Sequence, residues 1–264
     1  MFFIPRIPHP TLKFLPRFYT TVVTPPALFG KHALVTGGSR GIGLGISQAF
    51  AAAGASVMLV ARGTERLAAA QKTLAGGPHR VVAGDVSDVE FWDYVRKQEK
   101  NIDILVNAAG VTHYSLLMAT DSRVIEEVVR TNLMGCIYGC KAVLKNMVRR
   151  KGGCIINISS VMGLKGGKGS AAYAASKAGV IGLTRALAQE VGPSAIRVNA
   201  IIPGYIATEM TDGMTADAMA HTLSTTPLRR LGTTEEIASA ALFLATNGFT
   251  NGSQIVVDGG LSSM

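Results

Sequence analysis

The chain has 264 residues, 48% apolar and 16% charged, with a formal net charge of +9. That length and apolar content suit one large domain with its own core and exclude a disordered chain. No apolar run approaches the roughly 20 residues of a membrane span, and no basic tract interleaved with aromatics argues for nucleic acid.

Residues 1–30 stand apart. They carry Arg6, Lys13 and Arg17, six prolines and no acid, and the first acidic residue of the chain is Glu65. They hold no period long enough to pack. The composition is that of a mitochondrial transit peptide, with "RFYT" resembling a processing site after Tyr19. The expected organisation is an N-terminal extension over 1–30 and one folded domain over 31–264. The expected address is the mitochondrial matrix, with the cytoplasm as the alternative.

From residue 31 strands and helices alternate. "HALVT" (32–36) is a short apolar run ending at glycines, which predicts a buried strand. "GIGLGISQAFAAAGA" predicts a helix with Ile42, Ile46, Ala49 and Phe50 on one face. "SVMLVA" predicts a second strand, "TERLAAAQKTLA" a helix capped by Thr64, "RVVAGD" a third strand, and "DVEFWDYVRKQ" a helix with Asp88 near its start. "IDILVNAAG" is a fourth strand with its turn, and one long helical region follows over about 122–150. "CIINISS", the helix "AAYAASKAGVIGLTRALAQEVG", "IRVNAIIPG", the helix "TEEIASAALFLAT" and "SQIVVDGG" complete the series. This alternation predicts an α/β fold, a single Rossmann-like doubly wound domain with a parallel sheet and helices on both faces. Sites in such a fold lie at the carboxyl ends of the strands.

"TGGSRGIG" (36–43) joins the first strand to its helix. Glycine permits the tight turn and close approach of a pyrophosphate, and the helix that follows offers free N–H groups. Gly37, Ser39, Arg40, Gly41, Ile42 and Gly43 are therefore cofactor-binding candidates. No acid ends the second strand to accept ribose hydroxyls; Ala61 and Arg62 stand there. Arg40 and Arg62 suit a 2′-phosphate, so NADP(H) is the expected cofactor. Asp85 and Val86 follow the third strand, with Asp85 placed to accept from an adenine amino group. Asn107, Ala108 and Gly110 of "NAAG" end the fourth strand beside the same ligand. The cysteines Cys136, Cys140 and Cys154 form neither a CxxC pair nor a zinc pattern. They are expected as small buried hydrophobes of a reducing compartment, and no metal site is expected.

Tyr173 and Lys177 stand four apart in "YAASK", on one helix face. An ammonium beside a phenol stabilises its ionised form and eases proton transfer. The lysine can also donate to the nicotinamide ribose. Ser160, ending the fifth strand, can hydrogen-bond a substrate oxygen as charge develops on it.

With the glycine loop, NAAG and a serine thirteen residues before the tyrosine, residues 31–264 resemble the short-chain dehydrogenase/reductase superfamily. The resemblance implies seven strands, a homotetramer, and a fourth catalytic member, Asn132 in "VVRTNLMG", which helps hold a proton-relaying water. It also implies that Pro203, Gly204, Ile206 and Thr208 of "IIPGYIATEM" face the cofactor. "LVTGGSRGIG", "PLRRLGTTEEIA" and "VVDGG" make the chain most similar to 3-oxoacyl-acyl-carrier-protein reductases of fatty acid synthesis. The alternative is an NADPH-dependent carbonyl, quinone or hydroxysteroid-type reductase of free small molecules. The intact Asn–Ser–Tyr–Lys set argues against a silent scaffold subunit. Residues 205–228 are expected to form a lid, with Met210, Met214 and Met219 as adaptable apolar surface. Arg149, Arg150 and Lys151 are expected to meet an acidic carrier protein, although Ser194 and Ala195 stand where the family often has an arginine. Cys136, Tyr138, Cys140, Ala178, Ile181 and Ala186 are expected to pair helices between subunits.

Overall fold

The computed structural model describes residues 25–263; the expectation of a targeting segment over 1–19 falls outside them. Seven parallel strands form one sheet: β1 (His32–Thr36), β2 (Ser56–Ala61), β3 (Arg80–Ala83), β4 (Ile104–Asn107), β5 (Gly153–Ile158), β6 (Ile196–Pro203) and β7 (Gln254–Val257). Their order is β3-β2-β1-β4-β5-β6-β7. The order reverses between β1 and β4, which opens a crevice at the carboxyl edge there.

The central strands are buried on both faces, so alternate residues feed two cores. On one side Val35, Val57, Leu59, Val106 and Ile156 meet Ile46 and Phe50 of α1 (Gly41–Ala52), Leu67 of α2 (Thr64–Gln71) and Ile237, Ala241 and Leu244 of α10 (Thr234–Thr246). On the other, Leu34, Met58, Val60, Leu105 and Ile155 meet Phe91, Trp92 and Val95 of α3 (Val89–Gln98) together with helices α5 (Gly135–Arg150) and α7 (Ala171–Val191). Here α4 is Ser122–Val129, α5 Gly135–Arg150, α6 Met162–Lys165 and α7 Ala171–Val191. The segment 205–228, expected as a lid, carries α8 (Glu209–Asp212) and α9 (Ala216–Thr225), and α10 is Thr234–Thr246. No helix among the described residues is long and apolar enough to cross a membrane.

Four details differ from the sequence reading. The single helix expected over 122–150 is interrupted by a π-helical turn at Arg130–Met134, which carries Asn132 at its centre. Thr64 is the first residue of α2 rather than its cap; Gly63 holds the cap position and makes no side-chain cap bond. Leu28, assigned to the extension, is 2% exposed, donates its N–H to the Ala53 carbonyl at 2.8 Å and belongs to the core. Cys136, Cys140 and Ile181 are buried within the chain's own fold and do not form an outer face. Only Ala178 and Ala186 of that set are exposed, with Tyr138 half-buried.

Candidate active site

The glycine loop builds the floor of the crevice. Gly37 sits at φ +66°, and a Cβ there would lie 2.9 Å from the Ala108 carbonyl and the Ala109 backbone. A Cβ on Gly43 would collide with the Gly37 carbonyl. Thr36 Oγ1 accepts from the N–H groups of Ala108 and Ala109 at 3.0 and 3.1 Å, which ties the end of β1 to the turn after β4. The result is a cleft of about 310 Å³. Gly37, Ser39, Arg40, Gly41, Ile42 and Gly43 line it, as do Arg62, Asp85, Val86, Ala108, Gly110 and Thr208.

One end of this cleft is cationic. Arg62 is joined there by Arg66, which the sequence reading missed. Arg66 stands four residues after Arg62, the one signal that could have singled it out. Arg40 pairs with Glu209 of the 205–228 segment, which Arg66 also meets at 3.1 Å. The hydrogen bond from Arg40, and then the charges of both arginines, hold the Glu209 carboxyl below its ordinary range. Asp85 reaches the cleft while its Oδ1 accepts from the Ser87 N–H at 2.8 Å.

A second cavity of about 520 Å³ opens beside the first and shares Ile42, Ala108, Gly110, Thr208 and Met210 with it. Ser160, Tyr173 and Lys177 converge on its wall with Pro203, Gly204 and Ile206. Lys177 is 5% exposed, and its Nζ donates to the Ile158 carbonyl at 2.9 Å. The same Nζ lies 5.8 Å from the centre of the Tyr173 ring. Ser159 Oγ donates to the Lys177 carbonyl at 2.8 Å, fixing α7 to the end of β5. Ser160 Oγ accepts from the Met162 N–H at 3.2 Å, which leaves its own proton to donate.

Two predicted residues stand behind the cavities rather than on them. Asn132 is fully buried; it accepts from the Val111 N–H at 2.8 Å and donates to the Val111 carbonyl and Ser176 Oγ at 2.9 and 3.1 Å. Asn107 is 2% exposed, and its amide donates to Asn157 Oδ1 at 2.8 Å inside the sheet. Its side chain therefore braces β4 on β5 and does not face the cleft.

The mouth of the second cavity carries Tyr114 and Tyr205, whose hydroxyls lie 3.3 Å apart. Burial, then the hydrogen bond and charge of Tyr205 and the charge of Tyr173, push the Tyr114 phenol well above its ordinary range. Met210 and Met214 line the same space as expected, but Met219 is absent from its wall. Of the three basic residues expected to meet a carrier protein, Arg150 is already engaged. Its guanidinium donates to the Lys100 and Ile102 carbonyls and lies 3.8 Å from Asp103. Arg149 and Lys151 are exposed.

This sheet order, with a glycine cradle at the reversal and a serine, a tyrosine and a lysine around an adjoining apolar cavity, defines an oxidoreductase of the short-chain type. The family model described as enoyl-(acyl carrier protein) reductase matches residues 37–262. The chain is 44% identical over 245 residues to the 3-oxoacyl-acyl-carrier-protein reductase FabG of Chlamydia trachomatis, covering 89% of this chain and 98% of that one. It is 39% identical over 235 residues to the human 3-oxoacyl-acyl-carrier-protein reductase (88% and 98%), and 41% identical over 233 residues to carbonyl reductase family member 4 of Danio rerio (87% and 97%). A solved short-chain dehydrogenase/reductase family protein superposes with a TM-score of 0.84 at 36% identity, covering 90% of this chain and all of that one. A structure from Beutenbergia cavernae with bound NADP at low occupancy gives 0.85 at 31% (91% and 100%). The chain belongs to the short-chain dehydrogenase/reductase family.

Proposed function

We propose that the chain reduces the 3-oxo group of an acyl thioester carried on an acyl carrier protein to the 3-hydroxy form, with NADPH as reductant, in fatty acid synthesis. The observation that carries the reading is the junction of the two cavities: a glycine-floored cleft with a cationic end runs into an apolar chamber beside Ser160, Tyr173 and Lys177. The cleft suits a dinucleotide because Gly37 and Gly43 let the turn after β1 pack on itself and on the turn after β4, where a side chain would collide, and so bring the start of α1 with its free N–H groups to the crevice. Arg40, Arg62 and Arg66 suit the 2′-phosphate. Lys177, already held by the Ile158 carbonyl, has further N–H groups for ribose hydroxyls. When bound, NADPH supplies the hydride that reaches the carbonyl carbon. Tyr173 gives its hydroxyl proton to the carbonyl oxygen, and Ser160 donates a hydrogen bond to that oxygen as negative charge gathers on it. Asn132 acts from behind, bracing the turn after β4 on α7 through Val111 and Ser176.

The similarity to both 3-oxoacyl reductases and a carbonyl reductase supports a keto substrate. The likeness to a carbonyl reductase, together with the engaged Arg150, favours reduction of free ketones or quinones as the second reading. The test follows NADPH oxidation with acetoacetyl thioester, crotonyl thioester and a free quinone at equal concentrations. The expected order is the acetoacetyl thioester first and no turnover of the crotonyl thioester. A preferred quinone moves the assignment to the second reading. Turnover of the crotonyl thioester alone overturns keto reduction. The proposed assembly is a homotetramer, supported by exposed Ala178 and Ala186 on α7 and by apolar Leu116, Leu117 and Met118 exposed after β4. The proposed address is the mitochondrial matrix, supported by the basic, acid-free composition of residues 1–24.

A further inference from the structure

Glu209 makes a contact that fold stability does not account for. Its Oε2 accepts from Nη1 of Arg40 and from Nη1 of Arg66, which come from the glycine loop and the first turn of α2. The three side chains are 56%, 62% and 52% exposed for Arg40, Arg66 and Glu209. Ion pairs so exposed add little to stability. What the arrangement does is converge two guanidinium groups on one anionic oxygen, across the mouth of the cleft and beside Arg62.

A phosphate monoester is a better occupant of that point than a carboxylate. It carries about −1.5 to −2 at neutral pH with three strong acceptor oxygens, and guanidinium forks match it bidentately. We propose that the Glu209 carboxylate and the cofactor's 2′-phosphate compete for the same two guanidinium groups, so that Arg66 is a specificity residue for the phosphorylated cofactor. A phosphate that takes Arg40 and Arg66 releases Glu209, and with it the α8 end of the lid, from the opposite wall of the cleft. A nucleotide without that phosphate leaves the carboxylate where it is. Selection for NADPH then draws on the lid as well as on the arginines. The inference rests on NADPH as the cofactor.

The test measures binding by calorimetry on the full chain, with 2′,5′-ADP and 5′-AMP as probes, then with NADPH and NADH. Glu209→Gln removes the competing charge and keeps the shape; it is expected to tighten 2′,5′-ADP and NADPH by about threefold or more and to leave 5′-AMP and NADH within about twofold, since the difference lies in charge-assisted contacts alone. Arg66→Ala is expected to weaken 2′,5′-ADP by about tenfold, the worth of one charge-assisted hydrogen bond. In the double variant the gain from Glu209→Gln shrinks, because the two share a partner. If Glu209→Gln weakens 2′,5′-ADP or leaves it unchanged, the competition is overturned and the carboxylate is a clasp instead. An Arg66→Ala variant that keeps the parent's preference overturns the role given to Arg66. A parent that binds 2′,5′-ADP no better than 5′-AMP overturns the NADPH reading, and the inference with it.

Discussion

At the residue scale the proposed reduction turns on Tyr173. Its ring stands 5.8 Å from an ammonium that is itself buried and already bonded to the Ile158 carbonyl. That bond fixes the cation beside the Tyr173 ring. Tyr173→Phe preserves shape and removes the proton, so turnover should fall by about 10²–10⁴. Dinucleotide affinity should hardly change, because the glycine cradle and the arginines are untouched. Stopped-flow turnover with parallel nucleotide titration checks this, and near-parental turnover would remove Tyr173 from the proton transfer. Tyr173, Lys177 and Ser160 were legible in the sequence because local period and strand ends place them. Arg66 and Glu209 were not, because their contact joins residues 143 apart and depends on where residues 205–228 lie in the fold. Asn107 shows the converse. Its position at a strand end was legible, but the direction of its side chain depends on which face of β4 lies against Asn157.

At the element scale, the start of α10 is fixed by capping chemistry. The start of α10 is a reciprocal box: Thr233 Oγ1 accepts from the Glu236 N–H, and Glu236 Oε2 accepts from the Thr233 N–H. Arg230 also binds that carboxylate at 2.6 Å. Thr233→Ala should cost about 1 kcal/mol, the usual worth of such a cap. The Arg230 hydrogen bond, followed by the Thr233 N–H, holds Glu236 at about 2, against 4.5 for an ordinary glutamate. A carboxyl depressed by folding stabilises the fold above its unfolded value and loses that contribution as pH falls through its folded one. The stability difference between the parent and Glu236→Gln should therefore be full at pH 6, shrink below about pH 4.5 and level off near pH 2. Thermal unfolding followed by circular dichroism across that range measures it, and a difference independent of pH would assign the effect to the cap alone. All seven strands were legible from short apolar runs bounded by turn residues. The π-helical turn at Arg130–Met134 was not, because its extra residue is stabilised by tertiary bonds from Asn132 to Val111 and Ser176.

For the whole molecule, the two cores and the crevice between β1 and β4 are expected to open as one cooperative unit, and the cysteines test this. Cys140 lies in the core under α5, Cys154 in the core under α10, and Cys136 is buried on α5. Burial pushes the Cys136 and Cys154 thiols up to about 11, against the lowering charges of Lys177 and Arg197, and pushes Cys140 in the same direction. Only the thiolate reacts with disulfide reagents. At pH 8 all three should stay silent in the folded chain and react when it opens. Labelling by a chromogenic disulfide should then rise with urea along the same curve as the loss of ellipticity, for all three thiols together. A dinucleotide that binds the folded crevice must oppose that opening by mass action. At one hundred times its dissociation constant the protection is about 2.7 kcal/mol, or roughly a hundredfold slower labelling. All three thiols should share this protection if opening is global, because exposing any one of them requires separating the helices from the sheet. A thiol that reacts at the parental rate in saturating NADPH would mark a local opening that bypasses the crevice, and would divide the domain into separately unfolding parts.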